Sequence, residues 1–182
     1  MLLNRDESCL LVVDVQKKLT PLVLNADAMV ARCAWMMRLA RELGVPAVVS
    51  EHYSKGLGDT VEALQGFVNS ATLQHKVHFS CFREPSFIHY WQGMPQKQVV
   101  LVGIETHVCI LQTALDSLHA GNAVYVVVDA VSSRHALDHQ YALKRMKQAG
   151  VQLVTSEMVF FEWVEKAGTQ AFKALSQSFL QG

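Results

Sequence analysis

Residues 98–121, QVVLVGIETHVCILQTALDSLHAG, join a run of branched apolar residues to an amphipathic segment, with a cysteine about one turn into the second. Gln98 to Val102 lacks polar alternation, which predicts a strand buried on both faces. Thr106 to Ala120 has helical apolar spacing and stops at Gly121, a residue suited to follow a helix end. A buried strand running straight into a helix is half of a crossover unit, and crossovers are what parallel strands require. The short piece between them, Gly103-Ile-Glu-Thr-His-Val-Cys109, therefore falls at the carboxyl end of a sheet.

The same alternation extends in both directions. Cys9 to Val13 predicts a buried strand, Ala26 to Leu43 a helix closed by Gly44, and Val45 to Val49 a second strand. A loop containing Gly56 and Gly58 leads to a weak helix over Thr60 to Phe67, and Lys76 to Ser80 predicts a short third strand with imperfect alternation. Pro85 opens a helix reaching Trp91. Beyond Gly121, Ala123 to Val128 predicts a strand, Arg134 to Ala149 a helix ended by Gly150, Val151 to Val154 a last strand, and Met158 to Leu180 two helices. The fold class is α/β: a doubly wound, mostly parallel sheet flanked by helices in three layers, forming one domain over residues 1–182.

Composition narrows the functions such a domain can have. A chain of 182 residues buries a large core without staples. Its 16 basic and 16 acidic residues leave no net positive field for phosphates or anionic lipid, so neither nucleic acid nor a membrane is expected as a partner. The apolar run near the start is short and interrupted by Asp14, unlike a signal peptide or a spanning helix. Cys9, Cys33, Cys81 and Cys109 form no paired spacing, which fits reduced thiols and a cytoplasmic location. No low-complexity tract, linker or repeat is visible.

In doubly wound sheets, ligands bind at the carboxyl ends of the strands. Asp14 follows the first strand, Glu51 and His52 the second, Glu105, Thr106 and His107 the fourth, and Asp129 the fifth. Each also has a structural reading: Asp14 as a solvated strand end or cap, and Lys76 as a cation pointing to water. Cys109 lies at a helix start, where free N–H groups and the positive dipole end favour a thiolate. Packing is the alternative, and it is the reading that Cys9 and Cys33 invite. Cys81 lies near the Lys76 segment. His135 and His139 are spaced for one helix face but lack the glutamate of a zinc-protease motif, so they are expected to be exposed or to touch a neighbouring subunit. Arg134 either reaches an anionic substrate or caps the following helix.

Taken together, LLVVDVQ, SEHYSKGLGDT, KVHFSCF, GIETHVCILQTALDSLHAG and VVVDAVSSR span nearly the whole chain, and in this order they resemble the isochorismatase-like cysteine hydrolases. The resemblance implies a catalytic set of Asp14, Lys76 and Cys109, and a non-proline cis peptide at Ile104–Glu105 that turns the amides of Glu105 and Cys109 into an oxyanion hole. It implies hydrolysis of an amide, imide or carbamoyl C–N bond of a small molecule through a thioester. Relatives that cleave the vinyl ether of isochorismate lack this cysteine. The metal-binding pattern of nicotinamidases is broken at Glu51-His52-Tyr53, so neither a metal nor another cofactor is expected. Gln16, Glu51, Tyr53, Phe79, Phe82 and His107 are the candidate substrate-binding residues. Family members assemble as homo-oligomers, for which the apolar stretch VFFEWVEKAG is a candidate surface unless it covers the sheet instead. Two rival readings remain, a non-catalytic binding protein on the same scaffold and a thiol redox protein with Cys81 as partner to Cys109.

Overall fold

The computed structural model describes residues 1–180; Gln181 and Gly182, the end of the expected domain, lie outside the described residues. In chain order the elements are β1 (Ser8–Val13), α1 (Ala26–Leu43), β2 (Ala47–His52), α2 (Ser54–Leu57), α3 (Glu62–Gln65), β3 (Leu73–Lys76) and α4 (Pro85–Gln92). There follow β4 (Gln98–Ile104), α5 (Leu111–His119), β5 (Ala123–Ser132), α6 (Ala136–Ala149), β6 (Gln152–Val154), α7 (Ser156–Val164) and α8 (Gln170–Phe179). The strands form one sheet in the order β3-β2-β1-β4-β5-β6, and every pairing is parallel.

Period-two alternation within the buried strands divides the interior into two cores. Leu10 and Val12 of β1 face the side covered by α1, α7 and α8, whereas Cys9, Leu11 and Val13 face α4, α5 and α6. Helix α1 contributes Met29, Cys33, Met36, Met37 and Ala40, spaced to lie on one face, and ends where Gly44 adopts a left-handed conformation (φ 71°) with its N–H on the carbonyls of Ala40 and Arg41. The stretch VFFEWVEKAG covers the sheet: Val159, Phe160 and Trp163 are buried in the first core, and Phe161 alone of its large apolar residues is exposed.

Strand β3 departs from its expected position. It occupies Leu73–Lys76 because the Lys76 carbonyl accepts the Tyr53 amide (2.9 Å), after which the chain turns back over the lysine instead of extending to Ser80. Strand β5 runs on to Ser132, with a register shift opposite Leu101 and Gly103. Gly103 itself (φ 114°) pairs with Val13, and a Cβ there would lie 2.1 Å from the Val13 carbonyl oxygen. Backbone cannot yield as a flexible side chain would, so Gly103→Ala is expected to cost about 3 kcal/mol or more from strain and overlap combined. The check is a lower denaturation midpoint at unchanged m-value.

All four cysteines are free and buried. Burial raises each thiol above its ordinary value of 9.0: Cys81 to about 11, Cys9 to about 12, and Cys33 and Cys109 in the same direction. The folded state therefore keeps protons that the unfolded chain releases above pH 9. Their contribution to stability is complete below pH 9 and declines as pH rises toward the folded values, by about 1.4 kcal/mol per pH unit per thiol. Denaturation midpoints at pH 8 and pH 10.5 should show a steep loss, and Cys9→Ala should make it shallower.

Candidate active site

The order 3-2-1-4-5-6 reverses direction between β1 and β4, and the crevice at that reversal is where doubly wound sheets bind ligands. Asp14 is the first residue after β1 and Cys109 lies one turn beyond β4. Asp14 takes a left-handed conformation (φ 54°), which aspartate tolerates better than most side chains, and its N–H donates to the Ser50 carbonyl (3.1 Å). This turn leaves the carboxylate fully buried at the crevice.

Each carboxylate oxygen has a partner. Ser50 Oγ donates to Oδ1 at 2.7 Å and Lys76 Nζ donates to Oδ2 at 2.5 Å. The ammonium also donates to the carbonyls of His78 (3.2 Å) and Phe79 (3.0 Å), so its three protons are all committed. Both side chains of the pair are essentially inaccessible, 1% for Lys76 and 0% for Asp14. Burial works against the Lys76 ammonium, yet the Asp14 carboxylate and the neighbouring sulfurs outweigh it and raise the lysine above its ordinary value.

Cys109 belongs to the same cluster and is 5% exposed. Burial, followed by the charge of Asp14, holds its thiol up; Lys76 pulls the other way. Cys81 is buried beside this group, also feeling Lys76 and Asp14, and its backbone N–H donates to Thr113 Oγ1 (3.0 Å). The segment that carries Cys109 is not a regular α-helix at its start. Residues Thr106–Ile110 form a π-type turn in which the Glu105 carbonyl accepts the amides of Val108 (3.0 Å) and Ile110 (3.2 Å), passing over that of Cys109. The Ile104–Glu105 peptide is cis.

The remaining candidate residues have varied placements. Gln16 is buried rather than solvated: it bridges the backbone N–H (2.7 Å) and carbonyl (3.0 Å) of His52 and also donates to the Gly58 carbonyl (2.6 Å), clamping the end of β2 to the next loop. The Glu51 carboxylate is occupied by the Thr60 N–H (2.7 Å) and hydroxyl (2.8 Å), with His75 at 3.6 Å. Tyr53 and Phe79 are 55% and 51% exposed, and the Phe79 ring lies 5.3 Å from that of His52. Phe82 sits edge-on against Phe87 and Trp91 under α4. His107 shares a hydrogen bond with Ser133 (3.0 Å), and Arg134 binds Glu105. His139 is half-buried against Thr106, whereas His135 is exposed as expected.

Ser50 was not among the candidates, whereas His52 and Cys81 were read only as lying near the crevice. Ser50 has a legible signal, a hydroxyl inside the apolar run AVVSEH. The His52 imidazole is lowered by burial and by Lys76, and its Nδ1 is buried without a partner. Among the described residues, no three His, Cys, Asp or Glu side chains are grouped to hold a metal ion. A groove of about 320 Å³ lined by Tyr53, Lys55, His75, Lys76, Val77 and Glu84 adjoins the cluster. A larger concavity, about 620 Å³, lies at the amino ends of β2 and β3, between the end of α1 and residues 66–72, and brings no reactive group together.

A parallel sheet that gathers a carboxylate, an ammonium and a thiol at its switch point has the arrangement of an α/β hydrolytic enzyme. Comparison with known proteins makes the class specific. Residues 8–158 match the isochorismatase domain family, and the chain belongs to that family of isochorismatase-like hydrolases. It is 40% identical over 176 residues to mouse isochorismatase domain-containing protein 2A, covering 94% of this chain and 82% of the relative. A solved structure described as MAR1 ribonuclease from Caenorhabditis elegans superposes with a TM-score of 0.91 at 36% identity, covering 100% of this chain and 94% of that one. The YcaC gene product of Escherichia coli, described as an octameric hydrolase of unknown specificity, shares the fold (TM-score 0.91, 24% identity, 99% and 91% covered).

Proposed function

We propose that the protein is a cytoplasmic cysteine hydrolase that cleaves a C–N bond of a small, uncharged amide, imide or carbamoyl compound through a thioester on Cys109. The observation that carries this reading is the buried Asp14–Lys76 pair at 2.5 Å set beside a thiol that its own surroundings keep protonated. A resting thiol needs a base at the moment of attack, and Asp14 is the anion in contact with it. In the proposed cycle Asp14 takes the thiol proton as sulfur bonds to the carbonyl carbon, and Lys76 holds the carboxylate in place. The carbonyl π pair moves to oxygen, which rests on the amides of Glu105 and Cys109. Collapse expels nitrogen, to which Asp14 returns the proton; water activated by the same carboxylate then hydrolyses the thioester.

An uncharged reacting group follows from the cation beside the sulfur. Lys76 is saturated by Asp14 and two carbonyls, so it offers no free charge to an anion at the carbonyl that Cys109 would attack. The same commitment weighs against a ribonuclease, which must hold phosphates. Against the redox reading stands the upward displacement of both Cys81 and Cys109, since a redox thiol needs thiolate character. The exposed apolar residues Tyr53, Val77 and Phe79 beside the groove suit assembly into a homo-oligomer. No described helix is long and apolar enough to cross a membrane.

The test is incubation with a panel of small amides, following ammonia release together with mass spectrometry of the intact chain. Turnover with an acyl adduct on Cys109 supports the proposal. Sulfenic acid or a Cys81–Cys109 disulfide after peroxide, with no amide turnover, supports the redox protein; no modification at all supports a binding protein.

A further inference from the structure

Three consecutive residues of the turn before Cys109 send their side chains to one place. Glu105 accepts the Arg134 backbone N–H (3.0 Å) and also faces the Arg134 guanidinium (3.1 and 3.2 Å). Thr106 Oγ1 shares a hydrogen bond with His139 Nδ1 (3.0 Å), and His107 Nδ1 shares one with Ser133 Oγ (3.0 Å). Ser133 and Thr106 are fully buried, and the Glu105 carboxylate is 8% exposed. The Glu105 carbonyl is meanwhile the acceptor that shapes the π-type turn around the Cys109 amide.

We infer that the segment Ser133–His139, joining β5 to α6, is the brace that sets the oxyanion-binding turn, with Arg134 and His139 as positioning residues acting through Glu105 and Thr106. The inference rests on the proposed acyl-transfer reaction. It separates two functions that the site combines. Asp14, Ser50 and Lys76 govern the sulfur and its proton, and none of them is bonded to the brace. Arg134 and His139 touch neither group; they hold the backbone that would receive the oxygen. Loosening the brace should therefore slow reactions that pass through an oxyanion while sparing those in which sulfur displaces a leaving group directly.

Two reagents make the distinction. With p-nitrophenyl acetate, sulfur bonds to the carbonyl carbon, the π pair moves to oxygen, and collapse restores the carbonyl and expels p-nitrophenolate. With iodoacetamide, sulfur bonds to the methylene carbon as iodide departs, and no oxyanion forms. Arg134→Gln and His139→Ala are each expected to lower the acylation kcat by about 10- to 100-fold with little change in KM. Cys109 alkylation should stay within about twofold of wild type, because displacement of iodide builds no charge on a carbonyl oxygen and makes no use of the turn's amides. His139→Asn, which can place an amide group near the position of Nδ1, should recover most of the acylation rate.

Acylation at the wild-type rate in both substituted proteins would overturn the inference. So would a parallel fall in acylation and alkylation, because that marks a displaced thiol or a damaged fold rather than a displaced oxyanion site. A wild-type protein that is alkylated at Cys109 but never acylated would overturn the hydrolase reading itself, and the brace with it.

Discussion

Cys109→Ala is expected to lower amide hydrolysis by about 10⁴-fold or more, because removing a nucleophile eliminates the covalent path and leaves only binding and the oxyanion donors. Folding should be little affected: the change removes one sulfur from a site at the crevice, and Asp14, the partner of that thiol, keeps Ser50 and Lys76 as donors. Ammonia release from the best amide of the panel measures the loss, and a near-wild-type denaturation midpoint confirms that it is chemical. Hydrolysis continuing at a comparable rate would exclude a thioester on this residue.

Lys76→Met is expected to lower both activity and stability. The lysine supplies three hydrogen bonds and the charge that balances a fully buried carboxylate. Without it Asp14 keeps only neutral side-chain donors, Ser50 and the Cys109 thiol, and breaking a buried pair in this way costs about 3 to 5 kcal/mol. Activity should fall by about 10³-fold, since the base loses its partner and its placement. Adding Asp14→Asn removes the orphaned charge while suiting the left-handed backbone at position 14. The double variant should therefore regain much of the lost stability without regaining turnover. A double variant no more stable than Lys76→Met would show that charge burial is not the source of the loss.

The sheet was legible because buried strands announce themselves. VVLV and LLVV admit water on neither face, and Gly44, Gly121 and Gly150 mark where the helices between strands stop. Strand β3 was harder to place. It is an edge strand, and the polar residues of LQHK carry almost no alternation, so the apparent strand in KVHFS was in fact the turn that wraps the lysine. The start of α6 was placed at Arg134 but falls at Ala136, because Ser133 and Arg134 are bound by His107 and Glu105 rather than by helix hydrogen bonds. No local pattern records such a tie.

The site divides in the same way. Asp14, Glu105 and Cys109 could be singled out because each follows a strand end, which topology alone brings to one edge. Lys76 had only its family resemblance to recommend it. Glu51 and Gln16 occupy equally suggestive positions, yet their polar atoms are consumed by Thr60, His52 and Gly58. Spacing identifies which residues arrive at an edge; the number of hydrogen-bond partners already waiting there decides which remain free for a ligand.

The burial that raises the Cys109 thiol has a consequence for the lifetime of the protein in an oxidising moment. Peroxide attacks thiolates, and the climb from sulfenic to sulfinic acid begins with that first encounter. A sulfur kept protonated and 5% exposed offers peroxide little to react with. Under the proposed mechanism, the proton that Asp14 would remove before each turnover also serves as a protecting group, lifted when a carbonyl is in place to receive the sulfur.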